Sequence, residues 1–261
     1  MKTDSLRLVL LHCAPRFDND DANIAMLEAL ISQAAELGPD LIITPELAVS
    51  GYGFAQAIGT AWIAEQMPGI VARVADLTQV HRTAILLSTP RHDADTDQLH
   101  NAAFFIDAQG DVIGQHDKLS VLPGSESWAT PGKTVHTVSW NGLKIGLLIC
   151  ADVYPPGPAQ ALTEQGIDLL ISPAAWGPGM HEPAGEWEAR SAEIGRPVIV
   201  CNRTGPDRIM NFEGSASIVA VDGQRLLSYK GQAPAILSFD LSTQQWCPQP
   251  EQFEIHHVKT D

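Results

Sequence analysis

The chain has 261 residues, of which 44% are hydrophobic and 18% charged, a composition typical of a well-cored globular protein. Its formal net charge of −15 excludes nucleic acid and an anionic membrane as expected partners, because both attract a basic surface. No linker, repeat or low-complexity segment divides the sequence, so we expect a single domain over residues 1–261.

The cysteines and the N-terminal residues bear on the cellular location. The cysteines lie far apart without CxxC pairs, which favours neither a disulfide framework nor a zinc site. They are Cys13, Cys150, Cys201 and Cys247. The first apolar run is too short for a secretory signal, and no stretch reaches the length of a membrane span. We therefore expect a cytoplasmic protein with reduced cysteines.

Helical periodicity and apolar runs alternate along the first half of the chain. The spacing of apolar residues predicts helices at Asp21–Leu37 and Met67–His81, the second with Pro68 near its first turn. Continuous apolar runs predict buried strands, and residues 107–110 predict a hairpin turn between the last two. These strands are Leu6–Cys13, Leu41–Ile43, Ala84–Ser88, Ala102–Ile106 and Val112–Gln115.

The second half repeats this alternation. A buried strand is predicted at Ile145–Ile149, ending at Cys150, because the prolines at 155–158 cannot continue a strand. Two further helices and four further strands follow, with a hairpin turn at Asp222-Gly223. They are helices Ala159–Gln165 and Glu186–Glu193, and strands Asp168–Ser172, Pro197–Cys201, Ser215–Val221 and Arg225–Tyr229. The pattern predicts an α/β fold with two mixed sheets and helices outside.

Three polar residues come directly after separate apolar strands. Glu46 follows the strand at 41–43 and Pro45, Lys118 follows the strand at 112–115, and Cys150 follows the strand at 145–149. Side chains at strand ends can project into a crevice, which is where open sheets bind ligands. We therefore expect these three side chains to meet in one pocket.

Together the three residue types supply what hydrolysis at a carbonyl carbon requires. A thiol is only a few per cent ionised at neutral pH, so it needs a base and a positive neighbour. Glu46 in a dry pocket can take the proton of Cys150, and Lys118 can stabilise first the thiolate and then the oxyanion. The backbone amide of Ala151 is the expected second oxyanion donor.

Six segments, in order, are similar to segments of a known family. They are DANIAMLEALISQAAELGPDLIITPELAVSGY, QHDKLSVLP, GLLICADVYPP, LISPAAW, ARSAEIGRPVIVCNRTG and FEGSASIVAVDGQRL. In content and order they resemble the nitrilase superfamily, the carbon–nitrogen hydrolases with a Glu-Lys-Cys triad, over nearly the whole chain. The resemblance implies a four-layer αββα sandwich with two mixed β-sheets, commonly assembled as a homodimer or higher homo-oligomer.

The resemblance also implies a role for each triad residue. Glu46 would be the base, Lys118 would lie beside the oxyanion, and Cys150 would be the nucleophile that forms a thioester or thioimidate. Family members often have a second glutamate after the lysine, near the attacking water, and Glu126 is its best match. No cofactor is implied.

Three residues are expected on the substrate side. Tyr52, from the Gly-Tyr of the first segment, is expected to contact substrate. Trp176 either lines the pocket or packs in the core. Arg203 either binds a substrate carboxylate or forms a structural pair with Glu193 or Glu213, which is the commoner fate of a half-buried arginine.

A metal site and a Cys–His dyad are the alternatives to the triad. His181, Glu182 and Glu186 do not have the HExxH spacing, so we expect solvated loop residues and no metal. For the dyad, the candidates are His12 and His116. His12 lies inside the first strand, where we expect a core histidine, and the triad is favoured over both.

The expected substrate is a small carboxamide, cleaved with release of ammonia as in an ω-amidase. The short chain and the Cys-Ala-Asp sequence favour this class, since nitrilases proper tend to carry Cys-Trp-Glu. An N-carbamoyl compound or a nitrile is the alternative substrate. A non-catalytic binding relative is the alternative function, which loss of a triad residue would have favoured.

Overall fold

The computed structural model describes residues 4–178, 185–248 and 252–258. Within these ranges the strands form an eight-stranded and a six-stranded sheet. The strands are β1 Ser5–His12, β2 Leu41–Ile43, β3 Ala84–Asp93, β4 Gln98–Ile106, β5 Val112–Asp117, β6 Thr137–Trp140, β7 Leu143–Leu147, β8 Leu169–Ala174, β9 Val198–Asn202, β10 Ser217–Val221, β11 Gln224–Tyr229, β12 Ala235–Ser242, β13 Cys247–Pro248 and β14 Glu254–His257. The helices are α1 Asp20–Ala35, α2 Phe54–Ala57, α3 Ile63–His81, α4 Pro156–Glu164 and α5 Glu186–Ile194.

Both sheets are mixed and have parallel strands at their centres. The first has the order β13-β12-β1-β2-β3-β4-β5, with β14 also paired to β12, and β1, β2 and β3 are parallel. The second has the order β11-β10-β9-β8-β7-β6, and β7, β8 and β9 are parallel. Parallel central strands bring their carboxyl ends to one edge of each sheet, which is where polar side chains can collect.

The layers follow from the alternation of side chains along each strand. In β1, Leu8 and Leu10 pack with residues of the six-stranded sheet, whereas Val9 and Leu11 pack with residues of α1 and α3. Helix α5 packs on β9, β10 and β11, and its Trp187 is buried there. The order of layers is therefore helix, sheet, sheet, helix, which confirms the predicted αββα sandwich.

Four strands, β6, β12, β13 and β14, were not predicted, and of these β12 and β6 are the two that pair with predicted strands. β12 pairs with β1 over its whole length, but Ser238 and Asp240 interrupt its apolar pattern and its partner lies at the other end of the chain. β6 has only four residues, too few for a periodic signal. Both strands form because a neighbouring strand offers unpaired backbone groups, which a local pattern does not reveal.

Several predicted bounds were wrong by up to five residues. Helix α3 starts at Ile63 and not at Met67, so Pro68 lies inside the helix. Helix α1 ends at Ala35. Strands β3 and β4 extend as a hairpin beyond their apolar cores, through polar residues that pair across the two strands.

The strand before Cys150 is the one correction that changes the site. The strand was expected to run to Ile149, but β7 ends at Leu147. Cys150 then begins a 3-10 helix, Cys150–Val153. The cysteine therefore lies in a tight turn beyond the strand, and its backbone φ is 46°.

No helix in the three described ranges combines the length and the apolar character that crossing a membrane would require.

Gly132 packs closely against the backbone at Asp117 and Lys118. Its N–H donates to the Lys118 carbonyl at 2.8 Å, and a Cβ added there would lie 2.2 Å from the Asp117 carbonyl oxygen. We expect Gly132→Ala to lower the free energy of unfolding by about 1–3 kcal/mol, the usual effect of overpacking. Urea denaturation measures this loss.

Gly69→Ala is the matched control. Gly69 lies on the exposed side of α3, and an added Cβ would meet nothing within 4 Å. Alanine is the better helix former by about 1 kcal/mol, so this variant should be as stable as the parent or more so. Equal stability of the two variants would show that the chain near Lys118 yields to the added methyl group.

Candidate active site

Glu46 lies just beyond β2 and is completely buried. Its Oε1 accepts hydrogen bonds from Lys118 Nζ at 2.6 Å and from Asn101 Nδ2 at 2.7 Å. Its Oε2 accepts from the Ala175 amide at 2.9 Å. The Thr44 hydroxyl accepts the Ser88 amide at 2.9 Å, which ties the end of β2 to β3. These contacts hold the carboxylate in one orientation.

Lys118 is also completely buried and follows β5 directly. Its Nζ donates to Glu46 Oε1 at 2.6 Å and to Glu126 Oε1 and Oε2 at 2.7 and 2.8 Å. Glu126 Oε2 accepts in addition from the Leu122 amide at 3.0 Å. The structure thus brings Glu126 into direct contact with the lysine, at the position that a second glutamate would need.

Asn101 is a member of this cluster that sequence reasoning missed. It lies in β4, and its Nδ2 donates to Glu46 Oε1 at 2.7 Å and to Glu126 Oε1 at 2.8 Å. One amide group therefore links the two carboxylates. The available signal was a polar residue directly before the apolar run at 102–106, a position that burial permits only with hydrogen-bond partners.

The cluster contains two carboxylates and one ammonium, and this imbalance determines its electrostatics. Burial raises the pKa of Glu46 above its usual range, an effect that Lys118 opposes and Glu126 increases. Burial alone would lower the pKa of Lys118, but the charges of Glu46 and Glu126 outweigh burial and raise it well above its usual range. The lysine is therefore an ammonium, and Glu46 is a stronger base than an exposed glutamate.

Cys150 is the third predicted member, and only 4% of its surface is exposed. Burial raises the pKa of its thiol well above the usual range, and Glu46 adds to this effect, whereas Lys118 and the Ala175 amide oppose it. The free thiol is therefore protonated, and an adjacent base has to remove its proton before attack. The three predicted residues thus lie within electrostatic reach of one another.

Cys150 opens onto a cavity of about 450 Å³, a size within the range of small-molecule sites. None of the described side chains on its wall carries a charge, and most are apolar or aromatic. The wall is formed by Tyr52, Leu122, Pro123, Ser125, Cys150, Ala151, Tyr154, Ala175, Trp176, Gly177, Ile209 and Met210.

Trp176 lies on this wall and is held there by a residue that sequence reasoning missed. The Trp176 amide donates to Asn202 Oδ1 and its carbonyl accepts from Asn202 Nδ2, both at 3.0 Å. The indole ring packs on Tyr154 and Trp187, with centroids 4.5 and 5.1 Å away. Trp176 occupies both of its expected positions, since it lines the cavity and also belongs to the hydrophobic core.

Tyr52 lies on the same wall, and its hydroxyl is 3.2 Å from the Ser125 hydroxyl. Its ring meets Phe212 edge to face at 5.8 Å. Burial raises the pKa of Tyr52 above its usual range, and the charge of Glu126 contributes to this increase. The phenol is therefore neutral and available for hydrogen bonding at the cavity surface.

Arg203 does not reach the cavity, and its expected contact with a substrate carboxylate does not fit its position. Its side chain is completely buried, donates to Asp207 Oδ2 at 2.7 Å and to the Pro15 carbonyl at 2.9 Å, and lies over the Phe212 ring at 4.5 Å. The structural pairing was the better alternative, but with Asp207 and not with Glu193 or Glu213.

The metal and the Cys–His dyad gain no support. His181 and Glu182 lie outside the described residues, and the described ranges contain no cluster of ligands suited to a metal ion. His12 is a core histidine whose Nδ1 lies 3.0 Å from the Ser217 hydroxyl. His116 Nε2 lies 2.9 Å from Asp152 Oδ2.

Comparison with known proteins gives one family over most of the chain. The model of the carbon-nitrogen hydrolase family matches residues 10–247. A hydrolase encoded in the region 5′ of pqqF in Pseudomonas protegens is 30% identical over 226 residues, which are 85% of this chain and 78% of the relative. An (R)-stereoselective amidase of a Pseudomonas species is 27% identical over 228 residues, 85% of this chain and 80% of that enzyme.

Solved structures agree with this assignment. The crystal structure of an amidase from Nesterenkonia sp. has a TM-score of 0.83 and 27% identity, with 92% of each chain covered. A mutant of that enzyme, at a TM-score of 0.83 and 26% identity, covering 92% of each chain, shows covalent addition of the acetamide moiety of fluoroacetamide at the active-site cysteine. Other structures of the enzyme hold acrylamide and butyramide.

The buried charge cluster predicts a stability that depends on pH. Lys118→Met removes the only cation that touches Glu46 and Glu126 among the described residues, so we expect a loss of roughly 3–5 kcal/mol near neutral pH. Without the lysine, the pKa of Glu46 rises further above its unfolded value, because burial and the charge of Glu126 then act with less opposition. The contribution of Glu46 to the free energy of unfolding is then largest below the unfolded pKa of this carboxyl, and it declines as pH rises through the folded pKa.

The deficit of Lys118→Met against the parent should therefore be larger near pH 8 than near about pH 5, as measured by urea midpoints at both values. Lys144→Met is the control, because Lys144 Nζ donates only to the Gln165 carbonyl, at 2.8 Å on the surface. A constant deficit for Lys118→Met across this range would contradict ionised carboxylates in the cluster.

Proposed function

The chain belongs to the carbon–nitrogen hydrolase family, and from this premise we propose that it is an amidase that hydrolyses small uncharged carboxamides through a thioester on Cys150. The observation that carries the proposal is the cavity in front of Cys150, whose described side chains are mostly apolar and all uncharged, next to the buried cluster of Glu46, Lys118 and Glu126. The cluster provides the base and the ammonium group for the reaction, and the shape and polarity of the cavity determine which substrate binds.

Acylation begins when Glu46 takes the thiol proton and the Cys150 sulfur attacks the carbonyl carbon. The carbonyl oxygen becomes an oxyanion, which the Lys118 ammonium and the Ala151 amide stabilise. Protonated Glu46 then gives its proton to the nitrogen, the carbon–nitrogen bond breaks, ammonia leaves, and a thioester remains on Cys150. The raised pKa of Glu46 supports this role, because a carboxylate that burial makes more basic accepts a proton more readily than an exposed one.

Deacylation uses the same groups with water as the nucleophile. Glu46 takes a proton from the water, whose oxygen attacks the thioester carbon, and the carbon–sulfur bond breaks. The thiolate of Cys150 recovers its proton, and the carboxylic acid leaves. Glu126 contacts Lys118 throughout, so we assign it the role of keeping the ammonium aimed at the oxyanion site.

The uncharged wall supports an uncharged substrate. An ω-amidase, which the sequence favoured, binds a substrate that carries a carboxylate in addition to the amide, and an enzyme for N-carbamoyl amino acids likewise binds a carboxylate. A buried carboxylate requires a cation or several donors, and no described side chain on the wall is a cation. The Nesterenkonia amidase holds acrylamide and butyramide, both uncharged, which agrees with this proposal.

An amide is proposed over a nitrile because Glu46 can deliver the proton that an amide needs. A nitrile forms a thioimidate first, and water has to add before nitrogen leaves. The Cys150-Ala151-Asp152 sequence supports the amide, since nitrilases proper tend to carry Cys-Trp-Glu. A cytoplasmic location, a single domain and a homodimer remain part of the proposal.

Glu46→Gln tests the general base. Glutamine has the same shape and can still accept from Lys118, so we expect a folded protein that loses roughly a hundredfold or more in kcat. Steady-state ammonia release measures the rate, and thermal unfolding checks the fold. Retention of parental kcat would remove Glu46 from the proton transfers.

A matched substrate panel tests the proposed class. One short aliphatic chain is offered as the carboxamide, the nitrile, the ω-carboxylated amide and the N-carbamoyl derivative, and kcat/KM is measured from released ammonia. We expect the uncharged carboxamide to give the highest value. Acid quenching followed by intact mass should show an acyl adduct on Cys150 that Cys150→Ala abolishes.

Two outcomes would contradict different parts of this proposal. A higher kcat/KM for the nitrile or for a carboxylated substrate would reject the substrate class but leave the triad intact. Hydrolysis that survives Cys150→Ala, or an adduct on Cys13, Cys201 or Cys247, would reject the mechanism itself.

A further inference from the structure

Asp152 is a buried carboxylate that the proposed reaction does not use. It lies in the 3-10 helix that begins at Cys150 and is completely buried. It contacts no substrate-side residue directly, yet both of its oxygens are fully engaged. Burying a carboxylate is unfavourable unless several donors satisfy it, and Asp152 has four such donors.

One oxygen of Asp152 holds the chain that follows Lys118. Oδ1 accepts from the Leu119 amide at 2.9 Å and from the Ser120 amide at 2.7 Å. These are the two residues directly after the lysine, so their amides fix the direction in which the chain leaves Lys118.

The other oxygen holds the residue that precedes the nucleophile. Oδ2 accepts from the Ile149 amide at 3.0 Å and from His116 Nε2 at 2.9 Å. The Asp152 amide also donates to the Ile149 carbonyl at 3.0 Å. Ile149 is therefore bound on both sides, which limits the positions open to Cys150 and to the Ala151 amide.

His116 makes this arrangement specific. Burial opposes ionisation of Asp152, but the hydrogen bond and charge of His116 and the Ile149 amide outweigh burial and hold the pKa of Asp152 below its usual range. An ionised carboxylate only accepts, so Nε2 carries the shared proton. Nδ1 is buried without a partner in the described part of the chain, so the ring depends on Asp152 for its hydrogen bonding.

We propose that Asp152 and His116 are positioning residues that fix the spacing between Lys118 and Cys150. The carboxylate links the backbone directly after Lys118 to the backbone directly before Cys150. His116, two residues before Lys118, donates a further hydrogen bond to the same carboxylate. Loss of this link would let the nucleophile and the ammonium move apart, while the cavity walls stay in place.

A pair of substitutions that differ by one methylene group tests this proposal. In His116→Gln the side-chain amide reaches about as far as Nε2 and can still donate to Asp152. In His116→Asn the same amide falls short. We expect His116→Gln to keep most of the parental kcat, and His116→Asn to lose roughly tenfold to a hundredfold, the scale of a small misplacement of reacting groups.

Two further readouts separate positioning from a general loss of structure. KM should stay near the parental value in His116→Asn, because the substrate contacts are unchanged. Alkylation of Cys150 by iodoacetamide should become half-maximal at a higher pH in His116→Asn than in His116→Gln, because Lys118 then stabilises the thiolate less. This readout needs no substrate, so it stands even if the proposed amidase activity, on which the kcat comparison rests, fails.

Asp168→Asn is the control. Asp168 Oδ2 accepts the Lys144 amide at 2.9 Å at the opposite end of β7, so this variant changes a similar carboxylate without touching the triad and should keep its kcat. If His116→Asn does not fold, Asp152→Asn carries the same comparison of kcat and KM. Equal kcat and equal alkylation profiles for the two His116 variants would overturn the proposal.

Discussion

The structure is organised around one completely buried ammonium that faces two completely buried carboxylates. Removing three charges from water is unfavourable by several kcal/mol for each ion unless nearly every donor and acceptor is satisfied. Here Lys118 Nζ lies within hydrogen-bond distance of one oxygen of Glu46 and both oxygens of Glu126, and Asn101 donates to both carboxylates. These partners come from the end of β2, from β4, from the residue after β5 and from the loop that follows, so the cluster can form only when this part of the eight-stranded sheet is assembled.

The same arrangement separates chemistry from recognition. Glu46, Lys118 and Glu126 are completely buried and packed against one another, and the described wall of the cavity is uncharged. An interaction between charges is stronger where water is excluded, so the ammonium acts on an oxyanion with little screening. The hydrophobic wall then determines which acyl group enters. A cation on this wall would compete with Lys118 for Glu46 and would lower the pKa of the base.

The sequence predicted the fold and the principal polar residues because each produces a local signal. Buried parallel strands appear as apolar runs, and Glu46 and Lys118 appear as charges directly after such runs. Asn101 and Asn202 were missed because their importance lies in partners that are distant in sequence. Arg203 was misread for the same reason: nothing local indicated that Asp207 and Phe212 would enclose it. Strand β12 was missed because its partner lies at the other end of the chain.

The position of Cys150 also explains why its thiol can be buried and still act as a nucleophile. Its backbone φ of 46° is unusual for a residue other than glycine, and such a conformation persists only where surrounding bonds determine it. In this turn it places Sγ at the cavity and the Ala151 amide next to it. Because burial raises the pKa of the thiol, the resting enzyme keeps a protonated sulfur, which reacts slowly with oxidants and other electrophiles. In the proposed reaction, ionisation becomes favourable only when Glu46 takes the proton as the carbonyl carbon is attacked, which would couple the reactivity of the thiol to the presence of substrate.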